Sequence, residues 1–172
     1  MQSTRSVETG RKLTKYKCYV GFYDFSSIQG KVIGTLLKVT GFSDVTHVGP
    51  IIETQTQGDL CITICAATRV NGRLKGVAKV HSPKTLEKLG VKLISKIPVG
   101  EFELDLEQTV REARMHTDVR PWDLIFHHFV GRFLGLTRPR ACSSFVCNLF
   151  GLADAWHPAT LWRLYDNNRS GR

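Results

Sequence analysis

Residues 46–67, THVGPIIETQTQGDLCITICAA, decide how the chain is read. Two apolar runs, THVGPII (46–52) and DLCITICAA (59–67), flank the polar hexapeptide ETQTQG. Short runs rich in Ile, Val and Thr, separated by turn-forming residues, predict an antiparallel hairpin. Upstream, KCYVGFYDF (17–25) is aromatic and β-branched and predicts a further strand, with Ser26 and Ser27 as N-cap candidates after it. Ile28, Val32, Ile33, Leu36 and Leu37 then recur at helical spacing, and Gly41 is placed to close that helix.

Downstream of the hairpin, a strand is expected over 74–80. Ser82-Pro83 pairs an N-cap with proline at the first helical position, so KTLEKLG predicts a short helix ending at Gly90, and VKLISKIPV (91–99) returns as strand. The acidic residues 101–107 precede Arg111, Arg114 and His116, the order that a helix dipole prefers, and predict a helix over this segment. The last third reads as helical. PWDLIFHHFVGRFLGL (121–136) carries an apolar stripe from Trp122 to Leu134, TRPR (137–140) breaks it, and Cys142, Phe145, Val146, Leu149 and Phe150 resume the spacing. The expected class is α+β: one domain over 16–165, a small antiparallel sheet packed against helices, between a flexible basic arm (1–15) and a flexible tail (166–172).

A net charge of +9 implies attraction to phosphate, anionic lipid or an acidic protein face. Eight Lys or Arg residues between Arg69 and Lys96 stand against one acid, Glu87. A solvated surface is the ordinary outcome of such a flank. An acidic protein partner is the sharper expectation, ahead of nucleic acid, because no RNA- or DNA-binding fingerprint accompanies the charge. The five cysteines include no CxxC pair, and His127 and His128, adjacent on a helix, point about 100° apart, so no metal or cofactor is expected. The N-terminal residues lack the apolar core of a signal peptide, and no apolar stretch is long enough to span a membrane. A cytoplasmic protein with reduced thiols is therefore expected, and a virion component would look the same.

RACSSFVCNLFGL (140–152) opens a helix with a cysteine and places a second one inside it. Cys142, at the helix start, has the field that favours a thiolate, with Arg138 and Arg140 just upstream. A cysteine nucleophile also needs a base. Of six histidines only His47 lies inside an apolar, strand-like run. Each residue has an ordinary structural role, Cys142 as a small core side chain and His47 as a strand histidine bonded to a carbonyl. Together they form the two halves of a Cys-His site.

THVGPIIE and RACSSFVCNLFG resemble the histidine strand and the cysteine-helix start of the circularly permuted NlpC-like papain-fold hydrolases, relatives of the lecithin:retinol acyltransferase fold. In the permuted group the histidine precedes the cysteine, as His47 precedes Cys142 here, and DAWHPATLWRLY is similar to the segment that closes such domains. The resemblance implies a thiol hydrolase of the peptidase or amidase type, or an acyltransferase. Cys142 would be the nucleophile, His47 the general base, and the backbone N–H of Cys142 an oxyanion donor. The implied substrate is a peptide, a peptidoglycan amide or another acyl compound, without a cofactor. The third residue, which would orient the imidazole, has Asp59, Glu53 and Thr63 as candidates. Ser144 stands where family members tend to carry an acid.

Overall fold

The computed structural model describes residues 13–25, 34–36, 38–39, 43–56, 58–70, 73–115, 142–153 and 157–170. The expected caps at Ser26, Ser27 and Gly41, the stripe from Trp122 to Leu134, His116, His127, His128 and Trp156 lie outside them, as do the side chains of Arg69, Arg73 and Lys75.

Strands β1 (Thr14–Asp24), β2 (His47–Thr54), β3 (Gly58–Val70), β4 (Arg73–His81) and β5 (Lys92–Leu104) form one sheet. Its order is β4-β3-β2-β1-β5, and every neighbouring pair is antiparallel. The expected hairpin is β2–β3, with a turn at residues 55–56 and Gly58 at φ 70, where a residue bearing a Cβ is disfavoured. β1 lies inside the sheet between β2 and β5, which explains its nearly continuous burial from Cys18 to Tyr23.

Between β4 and β5 lies helix α1 (Pro83–Lys88). Ser82 caps it, its side chain accepting from the Thr85 N–H at 3.3 Å, and Pro83 opens it. Gly90, at φ 74, ends it: its N–H donates to the Glu87 carbonyl, and the Val91 N–H donates to the Leu86 carbonyl. That pattern is a Schellman closure, completed by the contact of Leu86 and Val91 in one buried cluster. Helix α2 (Leu106–Met115) follows β5, and helices α3 (Cys142–Phe150) and α4 (Pro158–Ser170) follow in turn; residues 34–36 and 38–39, at the end of the expected first helix, are also helical.

β3 runs on to Val70, past the expected end at 67, and three further boundaries differ from the sequence expectation. β5 continues through Glu101–Leu104, because EFEL alternates with the period of a strand, and the helix begins only after Asp105, whose carboxylate accepts from the Gln108 N–H. β1 starts at Thr14, inside the segment expected to be an arm, where Lys15 pairs with Glu101 across the sheet. α4 runs on to Ser170, into the expected tail, because Leu161, Trp162 and Tyr165 pack inward and carry the helix past the domain edge.

The sheet has an apolar cluster on each face. Cys18, Val20 and Phe22 of β1 and Val48 and Ile52 of β2 face Ala113 of α2, Phe145, Val146, Cys147 and Phe150 of α3, and Ala159 and Leu161 of α4. On the opposite face, Tyr23, Phe25, Ile51 and Cys61 pack with Leu86 of α1 and Val91. The α1 crossover and helix α2, which follows the last strand, therefore cover opposite faces of one sheet.

Candidate active site

His47 is the first residue of β2, opposite Tyr23 of β1. The Phe25 N–H donates to the Thr46 hydroxyl at 2.8 Å and the Thr46 N–H to the Tyr23 carbonyl at 3.0 Å, which locks the end of β1 to the start of β2. The imidazole lies against Phe25, with ring centroids 4.3 Å apart, and beside Tyr23, at 6.3 Å. It is buried, and its Nε2 has no hydrogen-bond partner among the described residues. Burial alone lowers its pKa to about 3, so the ring is neutral at physiological pH. The Tyr23 hydroxyl is likewise buried, beside the Cys61 thiol, and burial raises its pKa well above the usual phenol value.

Cys142 occupies the first turn of α3 and is half-buried against the cluster that contains Val48 and Ile52. Cys18, Cys61 and Cys147 are buried, and none of these four thiols is in a disulfide. Burial pushes the Cys18 thiol up to about 11 and raises that of Cys61. Cys147 donates to the Ala153 carbonyl at 3.2 Å, the role of a core thiol inside a helix.

Strand parity then separates the two sequence-predicted residues. Side chains alternate along β2, so Val48 and Ile52 point toward α3, whereas His47 shares the other face with Ile51, Tyr23 and Phe25. The sheet lies between the imidazole and the helix that carries Cys142. The candidates for orienting the imidazole are engaged elsewhere. Glu53 accepts from the Tyr19 hydroxyl at 2.8 Å, Asp59 pairs with Lys96, and the Thr63 hydroxyl donates to the Lys79 carbonyl. Lys96 also stands 4.0 Å over the Tyr19 ring.

An open groove of about 590 Å³, lined in part by Tyr16, Thr54, Leu60, Glu101 and Leu106, sits at the far end of β2. Six residues of strand separate Glu53 from His47, roughly 20 Å, and neither His47 nor Cys142 lines this groove. Among the described residues no group of three His, Cys, Asp or Glu side chains is placed to hold a metal ion. No helix among them is long and apolar enough to cross a membrane.

Two residues gain roles that the sequence reading did not give them. Phe25, read as a strand residue, forms the wall of the His47 enclosure. His157, read as a loop histidine, is buried and caps α4: its Nδ1 accepts from the Ala159 N–H at 3.1 Å and its carbonyl from those of Thr160 and Leu161. The His-Pro step before an apolar run was the available signal for that cap. Comparison with family models, with curated proteins and with solved structures finds no match to this chain.

Proposed function

We propose that this chain is a catalytically silent interaction domain, a basic component of a larger assembly that docks on an acidic macromolecular face. One observation carries the reading. The imidazole that would serve as base is enclosed by Phe25 and Tyr23 on the sheet face away from Cys142, with no orienting partner on Nε2 among the described residues. A base must reach the proton that it takes, directly or through one water. The charge supplies the positive side of the reading: Lys79, Lys84, Lys88 and Lys92 are exposed and lie outside the ion pairs of the described residues. A virion is one setting that such a component fits.

A second reading has a specific observation in its favour. Cys142 opens α3 and, of the four cysteines whose side chains are described, is the one that is not fully buried. With the resemblance to permuted NlpC-like hydrolases, this supports a Cys142-dependent peptidase or amidase acting through a thioester on a peptide, peptidoglycan or acyl substrate.

Iodoacetamide labelling across pH separates the two. The interaction domain gives Cys142 an ordinary thiol titration that is unchanged in His47→Phe, a variant that keeps the ring packing. Rapid labelling well below pH 8, lost in His47→Phe, together with turnover of an acyl substrate that Cys142→Ala abolishes, would establish the hydrolase and reject the silent domain.

A further inference from the structure

β4 and β5 are the two edges of the sheet, and α1 carries the chain from one edge to the other across the face that holds Tyr23 and Ile51. The crossing spans four strand spacings, about 19 Å. Three basic residues lie along this path, Lys79 on β4 and Lys84 and Lys88 one turn apart on α1, with Glu87 between the last two; Lys92, opposite Asp24 at the start of β5, points to the other face of the sheet. Lys79, Lys84 and Lys88 are exposed, and the ion pairs of the described residues engage Lys15, Lys38, Lys96 and Arg111 instead.

Two large apolar side chains stand among these lysines. The closure at Gly90 turns Leu86 and Val91 into the core and leaves Leu89, the C-cap, 47% exposed. Leu93, opposite Tyr23 on β5 and so on the α1 side of the sheet, is 44% exposed. A single exposed leucine is unremarkable, but two of them beside a cationic band that crosses a sheet face form an amphipathic surface. A phosphodiester duplex would use the lysines and leave the leucines in water. A bilayer carrying anionic headgroups uses both, lysines at the phosphates and leucines at the acyl boundary.

We propose that the α1 crossover is a docking surface for an anionic lipid bilayer, with Lys79, Lys84 and Lys88 on the headgroups and Leu89 and Leu93 entering the interface. The inference rests on the interaction-domain reading and names the acidic face.

The full chain is sedimented with vesicles of phosphatidylcholine alone and with about 30% phosphatidylserine. Binding is expected to the second and not to the first, and to fall steeply between about 0.05 and about 0.5 M salt. Each lysine contributes on the order of fivefold, so Lys84→Gln/Lys88→Gln lowers the partition on the order of 25-fold. Leu89→Ser/Leu93→Ser alters only exposed side chains; it weakens vesicle binding several-fold and leaves binding to duplex DNA unchanged. Equal binding to both vesicle types, or none to either, overturns the proposal. So does vesicle binding that the leucine pair does not affect, which would reassign the band to a purely ionic partner. The vesicle measurement is independent of Cys142 labelling, so failure of the bilayer proposal and failure of the interaction-domain reading register in different experiments.

Discussion

His47 carries the clearest consequence at the scale of a single residue. Its folded pKa of about 3 lies below the ordinary histidine value of 6.5, because burial penalises the imidazolium. Between those two values the unfolded chain holds a proton that the folded chain lacks. Stability is therefore complete above about pH 6.5 and falls as the pH drops toward 3, by up to about 1.4 kcal/mol per pH unit. Urea unfolding at a series of pH values should show this slope, and His47→Phe should flatten it by one proton; an unchanged slope would mean that the imidazole is not enclosed. The cysteines give a second expectation. In the native protein an alkylating reagent should reach Cys142 ahead of Cys18, Cys61 and Cys147, because the last three are buried and the Cys18 thiol is pushed up to about 11. Mass mapping of the labelled sites checks the order.

At the scale of elements, α1 owes its existence to its ends. Six residues are too few for a helix to persist by propensity, so the Ser82 cap, the Gly90 closure and the burial of Leu86 must supply the stability. Ser82→Ala should cost about 1 kcal/mol through loss of the bond to the Thr85 N–H. Gly90→Ala should cost roughly 1–2 kcal/mol, because φ 74 brings a Cβ against the following carbonyl. Both are read by urea unfolding, and a silent Ser82→Ala would show that the cap does not hold α1. Gly49 is constrained by its neighbour: a Cβ there would overlap the Ile62 carbonyl of β3, a backbone atom that cannot swing aside. Gly49→Ala should therefore disturb the β2–β3 pairing and lower the thermal midpoint, whereas Gly58→Ala, with open space around its Cβ, should cost only the strain of its φ. Element by element, the signals read best where they were local. The turn of the hairpin and both ends of α1 could be seen in a few adjacent residues. The start of β5 was visible and its end was not, because the charge of Glu101 and Glu103 outweighed their alternation with Phe102 and Leu104.

For the molecule as a whole, two apolar clusters on opposite faces of one sheet make the fold depend on both coverings. Phe145 is buried between α3 and the sheet, and Phe145→Ala should cost about 3–5 kcal/mol, enough to unfold a marginal domain. Circular dichroism and urea unfolding would register that loss. Charge acts at the same scale but on association rather than on folding: an excess of 24 Lys and Arg over 15 Asp and Glu favours anionic surfaces in general without selecting the fold. In the proposed docking surface, the path of α1 sets three of those lysines, Lys79, Lys84 and Lys88, on one side of the sheet.

The sequence by itself determined the hairpin, the short capped helix, the helix that starts at Cys142 and the α+β class, because each depends on periodicities and end signals carried by neighbouring residues. It also singled out His47 and Cys142 as a matched pair of residue types. Only the tertiary structure decided on which face of the sheet each would lie. Strand parity ties His47 to Ile51 and opposes it to Val48, but no local signal states which face α3 will cover. That choice is made by packing between segments distant along the chain, and it sets the imidazole against Phe25 and Tyr23 rather than against the thiol.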